Sequence, residues 1–499
     1  MSESSQHAAD QLPRRPLLAG FHPDPSVCRA GDAYYLACST FEYAPGVPIF
    51  SSPDLLDWTL IGHALDRPSR LDLASARPSG GIYAPTLRFH DDRFWMIVRN
   101  STGAPGLLLV TATDPGGPWS EPLRIPGTGR GIDPDLAWDA DGTCYLTWAD
   151  LRDGVMQAEL DTATGELLSE PALLWQGMGG KFPEGPHLYR VGEHWYLVLA
   201  EGGTGQGHAA TVARSASPSG PFEPSPYNPL ITASGSDSVV QSTGHADLVQ
   251  RGDGTWAMVF LGVRPRGMFP QWHVLGRETF GASIEWRDGW PVYSEPIEPA
   301  HLEPTRREPF VEEIGAGPLP ASWITPGAFP QDVSTTDPDG TVRLTASASS
   351  RVFTGRRQEH TGMVAMVQLD VPDGSRGGLE LRIDPWHAVS VELAGDVVRA
   401  VARIGGLAST LGERQRLEGD VLRLETVASD ALPFTTRLGP DTIVASIVRD
   451  GETVELGRLD GRYLSTEVAG GFTGRVIGVV AESGRVGIRR FRYEGWELG

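Results

Sequence analysis

The chain has 499 residues, with 42 basic and 63 acidic side chains and a formal charge of −21. Forty per cent apolar and 21% charged residues is an ordinary globular balance, which excludes whole-chain disorder, and the length leaves room for two or more domains. The acidity speaks against a nucleic-acid backbone or an anionic membrane as the main partner and suits a neutral ligand.

The N-terminus, Met1 to Arg15, is polar and lacks the apolar stretch of a secretory signal. No apolar run approaches the ~20 residues of a spanning helix. Cys28, Cys38 and Cys144 are too few for a disulfide framework and are not spaced as zinc ligands. The expected location is the cytoplasm, with the three thiols reduced in the core.

From there, short runs rich in Val, Leu, Tyr, Trp and Thr alternate with Gly, Pro and Asp clusters, which points to an all-β chain. The runs repeat. Asp24-Pro25-Ser26-Val27, Ala84-Pro85-Thr86-Leu87, Asp133-Pro134-Asp135-Leu136, Gly185-Pro186-His187-Leu188 and His245-Ala246-Asp247-Leu248 each lead through a polar turn to an aromatic-rich strand. The second residues of these units are 60, 49, 52 and 60 positions apart. Two further strands fit into each interval, and four strands in about 50 residues is the size of a propeller blade. The expectation is a five-bladed β-propeller over residues 16–302. Glu303 to Pro309 is charged and reads as a linker. Alternating runs such as Ser390-Val391-Glu392-Leu393 and Val476-Ile477-Gly478-Val479 predict a second all-β domain, a β-sandwich, over 310–499.

Inner strands of a propeller start near the central channel, so equivalent first positions converge there. Those positions are Asp24, Ala84, Asp133, Gly185 and His245, with Glu184 one step earlier in the fourth unit. Three carboxyls in one pocket repel, and burial with repulsion raises at least one pKa. That cost serves a hydrolase, which needs an acid beside a base. His245 is open between a structural imidazole, a substrate contact and an ion ligand. Phe41, Tyr83, Trp148 and Phe182 lie near the same strand ends, where an aromatic face suits the apolar side of a sugar ring, although most propeller aromatics pack between blades. Arg264 follows the inner strands of the fifth unit and is placed either to donate to sugar hydroxyls or to neutralise the acids.

These residues resemble glycoside hydrolase family 43. The resemblance is carried by Phe21-His22-Pro23-Asp24-Pro25-Ser26, Ser39-Thr40-Phe41-Glu42, Gly80-Gly81-Ile82-Tyr83-Ala84-Pro85, Ile132-Asp133-Pro134, Glu184-Gly185-Pro186-His187-Leu188-Tyr189, Glu201-Gly202-Gly203-Thr204 and Gly276-Arg277-Glu278-Thr279. It is closest to the β-xylosidase and α-L-arabinofuranosidase members, whose C-terminal sandwich is echoed by Phe353-Thr354-Gly355-Arg356-Arg357-Gln358 and Gly471-Phe472-Thr473-Gly474.

The resemblance implies an inverting mechanism with Asp24 as general base, Glu184 as general acid, and Asp133 tuning and orienting the acid. It implies that Arg264 contacts the sugar, with Phe41, Tyr83 and Ala84 beside it, and that Phe472 reaches the pocket mouth and favours exo cleavage. His245 resembles a channel histidine that in several members sits by calcium or another ion; no cofactor is otherwise required. Tyr83 and Ile132 depart from residues common in xylosidases of the family, which touches the choice of sugar. The expected substrate is a xylo- or arabino-oligosaccharide, with no nucleic acid and no membrane as partner and a homo-oligomer left open. The alternatives are a retaining, fructan-type furanosidase on the same propeller, in which Asp24 would be a nucleophile, and a sugar-binding propeller without catalysis.

Overall fold

Turn chemistry sets the blade edges. The first hairpin pairs Ala30 with Ala33 around Gly31-Asp32, and the second pairs His90 with Arg93 around Asp91-Asp92. Asp91 and Asp92 both have positive φ, 49° and 56°, the backbone that a two-residue hairpin turn of matching twist demands. The computed structural model describes residues 12–299, 303–346, 350–429 and 439–498. Residues 1–11, on which much of the reading of the N-terminus rests, and 300–302, at the expected end of the propeller, lie outside the described residues.

By contacts the chain divides into two compact units, Met1–Leu18 with His22–Arg264 and Arg277–Ala300, and Ala19–Phe21 with Pro265–Gly276 and His301–Gly499. The first unit is the five-bladed propeller. Each blade is an antiparallel sheet whose innermost strand is, in order, Ser26–Ala30, Thr86–His90, Ile132–Trp138, Glu184–Val191 and Gln241–Gln250. Apolar side chains fill the seams between blades. Ile97 and Leu109 of the second blade meet Leu136, Leu146 and Trp148 of the third, and Val198 and Val212 of the fourth meet Met258 and Phe260 of the fifth. The ring closes where Val27, Leu36 and Phe50 pack on Val249 and Val259. Each fully buried aliphatic contributes about 1.5–3 kcal/mol, so the seams supply most of the binding between blades. Cys28, Cys38 and Cys144 are buried free thiols.

The second unit is a β-sandwich built around one long strand, Val476–Trp496. Its first part pairs with Val352–Arg357 and Arg376–Arg382, and its second part with Val342–Ala346 and Gly362–Asp370. One strand thus serves both sheets. Leu379, Leu381, Val389 and Val391 from one sheet face Met363, Ala365, Leu422 and Leu424 from the other, forming the core. Among the described residues no helix is long and apolar enough to cross a membrane.

Candidate active site

The propeller repeats one backbone device at the top of its inner strands. Asp24, Asp133, Gly185 and His245, the equivalent positions of four blades, all have positive φ, between 49° and 57°. In the third, fourth and fifth blades the strand register shifts beside that residue, between Ile132 and Asp135, Glu184 and His187, and Gly244 and Asp247. A bulge of this kind bends the strand and re-aims a side chain, here around the channel axis. Left-handed backbone costs a non-glycine residue about 1–3 kcal/mol, and it is stored where the acids stand.

The three carboxyls converge. Asp24 accepts from Ser39 Oγ at 2.5 Å through Oδ2 and from Arg277 Nη1 at 2.9 Å through Oδ1. His245 Nδ1 lies 3.6 Å from the same Oδ1. Asp133 Oδ2 accepts the Gly185 N–H at 3.1 Å, the amide next to Glu184. Gly185 packs so closely on His245 that a Cβ there would stand 2.9 Å from the imidazole. Gly185→Ala therefore meets both a collision and a left-handed φ of 57°. It is expected to lower unfolding free energy by about 1–3 kcal/mol, read as a fall in the chemical denaturation midpoint.

Charge is unevenly shared in this pocket. Burial pushes the Asp24 carboxyl up, but Arg277, His245 and Ser39 more than offset it, and Asp24 sits below the ordinary carboxylate range. Glu184 is pushed up to about 7, first by burial and then by the charge of Asp24, with Arg277 opposing. Asp133 is raised well above its usual value by burial, Glu184 and Asp24. Below about pH 7 the site thus holds an ionised Asp24 together with a protonated Glu184. Burial and Asp24 are what raise Glu184, and Asp133, expected to tune the acid, is itself driven toward the neutral form. Burial pushes both His245 and His208 down to about 4, so these imidazoles are neutral.

Phe41 and Tyr83 stand together, ring centroids 6.2 Å apart, and the Arg277 guanidinium lies 5.7 Å from the Phe41 centroid. Phe41 is buried, as is Ala84. Arg264 forks onto Glu278, Nε at 2.7 Å and Nη2 at 2.9 Å. The arginine bonded to an acid of the cluster is Arg277, which sequence reasoning missed although Gly276-Arg277-Glu278-Thr279 contains it. Trp148 belongs to the seam between blades and not to a sugar platform. Phe472 belongs to the second unit and is 37% exposed, so it is not sandwich core.

Two residues further along each inner strand lies a second polar layer that the sequence reading did not assign. Asp247 accepts from Ser26 Oγ at 2.7 Å, Val27 N at 2.9 Å, Arg88 Nη1 at 2.9 Å and the Tyr189 hydroxyl. Arg88 Nη2 also reaches Asp135 at 2.7 Å and His187 Nδ1 at 2.9 Å. The signal was present as the third residue of every repeat: Ser26, Thr86, Asp135, His187 and Asp247. Its bonds join the inner strands of all five blades under the acids and hold them in register.

Among the described residues no three His, Cys, Asp or Glu side chains gather as a metal site. Calcium takes six to eight oxygens. Beside His245 the Asp24 carboxylate is already held by Ser39 and Arg277, so most of the oxygens around a calcium ion there would have to be water.

Residues 13–291, more than half of the chain, match the model of the family "Glycosyl hydrolases family 43". The chain belongs to glycosyl hydrolase family 43. It is a glycosidase, and residues 316–490 of this family 43 enzyme match the "Beta xylosidase C-terminal Concanavalin A-like domain". It is 36% identical over 501 residues to a non-reducing end α-L-arabinofuranosidase of Bacteroides ovatus, covering 94% of this chain and 91% of that protein. A β-xylosidase of Bacillus subtilis is 39% identical over 302 residues, 55% of this chain and 56% of the other. Among solved structures, the xylan β-1,4-xylosidase of Bacillus halodurans superposes with a TM-score of 0.85 at 30% identity, over 96% of this chain and 100% of that one. Family 43 membership displaces the fructan-type alternative.

Proposed function

We propose that this family 43 enzyme acts in the cytoplasm as an exo-acting, inverting hydrolase that releases β-D-xylose or α-L-arabinofuranose from the non-reducing ends of short oligosaccharides. The observation that carries the reading is the gathering of Asp24, Asp133 and Glu184 in one pocket, with Arg277 and Ser39 bonded to Asp24 and lowering its carboxyl while burial and Asp24 raise that of Glu184. Inversion requires that pairing. Asp24 takes a proton from a water molecule as the water oxygen bonds to the anomeric carbon. On the opposite face Glu184 gives its proton to the glycosidic oxygen as the bond to that oxygen breaks. The products are a free pentose of inverted configuration and a shortened alcohol, and exchange with solvent restores both carboxyls. Asp133 fixes the Gly185 amide and so the direction of Glu184. Arg277 spreads positive charge beside Asp24 without displacing its role as acceptor. The pentose class rests on the relatives named as arabinofuranosidase and xylosidase.

The test is a panel of 4-nitrophenyl glycosides with proton NMR of the first sugar released. Turnover of the β-xyloside or the α-L-arabinofuranoside with appearance of the opposite anomer is expected. Retention of configuration would sink the mechanism, and cleavage of no pentoside would sink the substrate class.

A further inference from the structure

The segment leading into Glu184 is built around a second glutamate. Glu201 ends the strand His194–Glu201 and is buried. Its two carboxylate oxygens both accept the Met178 N–H at 2.9 Å; Oε2 also accepts the Gly180 N–H at 3.0 Å, and Oε1 the Thr211 hydroxyl at 2.7 Å. A Cβ on Gly177 or Gly180 would stand 2.9 Å from the Glu201 carboxylate, so glycine is what lets the loop wrap it this closely. The Gly202 N–H then donates to the Lys181 carbonyl at 2.7 Å. The outcome is a fixed loop that presents Phe182 two residues before Glu184. Phe182 is 52% exposed, has a positive φ of 50°, and its ring lies 3.2 Å from where a Cβ on Gly203 would stand.

An aromatic in strained backbone, left half in water by a loop pinned to a buried carboxylate, is poorly explained as core. The pentose being released sits among buried groups, Asp24, Phe41 and Asp133. Glu184 faces the glycosidic oxygen, which belongs to the leaving sugar, and Phe182 lies on Glu184's own segment toward solvent. We infer that Phe182 is the platform for the leaving-group sugar and that Glu201 is the residue positioning it. The inference rests on the proposed exo-pentosidase reading. A ring held ready in this way favours binding by removing the ordering cost.

The test compares a substrate with a leaving-group ring and one without: xylobiose or an arabinosylated xylo-oligosaccharide against the corresponding pentosyl fluoride. Phe182→Ala is expected to lose about tenfold in kcat/KM on the oligosaccharide, mostly through KM, and to stay within about twofold of wild type on the fluoride. Phe182→Tyr should restore the oligosaccharide value. Glu201→Gln, which turns a donor toward the loop amides, should reduce the oligosaccharide value, with less than additive loss in the Phe182→Ala background. Equal loss on both substrates would mark Phe182 as a merely structural residue, and no loss on the oligosaccharide would remove it from the site; either overturns the inference. Wild-type enzyme that cleaves neither substrate would instead overturn the exo-pentosidase reading beneath it.

Discussion

Glu184→Gln is expected to lose about 10³-fold in kcat/KM on an unactivated disaccharide and about tenfold or less on a dinitrophenyl pentoside. The difference follows from the proton. A sugar alkoxide is a poor leaving group and must be protonated as its bond breaks, whereas a dinitrophenolate departs almost unaided. The structure adds a pH signature. The Glu184 carboxyl is raised to about 7 by burial and by Asp24, so the acid is in its working, protonated form below that value. Wild-type kcat/KM on the disaccharide should fall as pH rises through about 7. Glutamine cannot titrate, so the variant's residual activity should lack this limb. If the variant loses the same factor on every leaving group, Glu184 is not the acid. If the limb persists in the variant, it belongs to Asp133, whose carboxyl is raised in the same pocket.

Much of this site was legible because propeller geometry converts sequence spacing into position. The repeat placed Asp24, Asp133 and His245 at equivalent strand starts, and the structure gives all three the same left-handed turn. Glu184 stands one residue before its equivalent position, Gly185, and a strictly alternating strand would send neighbouring side chains to opposite faces. The register shift between Glu184 and His187 is what breaks that alternation. A bulge leaves little mark in composition, so the local repeat alone did not explain Glu184. Arg277 was harder. It bonds to Asp24 across 253 positions of sequence, and nothing in the local pattern separates it from Arg264, thirteen residues earlier, whose partner is Glu278. The same limit applies in the sandwich. Alternation marks Val476–Trp496 as strand but cannot tell that its two parts belong to different sheets, because that depends on which strands lie beside it.

Asp24→Asn should be the less selective lesion, with about 10²–10⁴-fold lost on activated and unactivated substrates alike. Attack by water is common to both, and asparagine cannot take the proton that makes the water a nucleophile. The asparagine keeps one oxygen to accept from Arg277 and turns an amide N–H toward Ser39 Oγ, which can accept it, so the fold should survive, as an unchanged thermal transition would verify. The residual rate carries a second prediction whose sign is fixed by the pocket's charges. After burial, the charge of Asp24 is the next cause of Glu184's high pKa, and Arg277 pulls the other way. Removing the charge leaves Arg277 unopposed by Asp24, so Glu184 should ionise more readily. The alkaline limb should then move below its wild-type position near 7, measured on the disaccharide, where protonation is needed. A limb that stays in place would mean that burial alone raises Glu184, with no charge on Asp24 acting on it. A limb that moves up would contradict the sign of the Asp24–Glu184 repulsion, and the assignment of base to Asp24 and acid to Glu184 would fail with it.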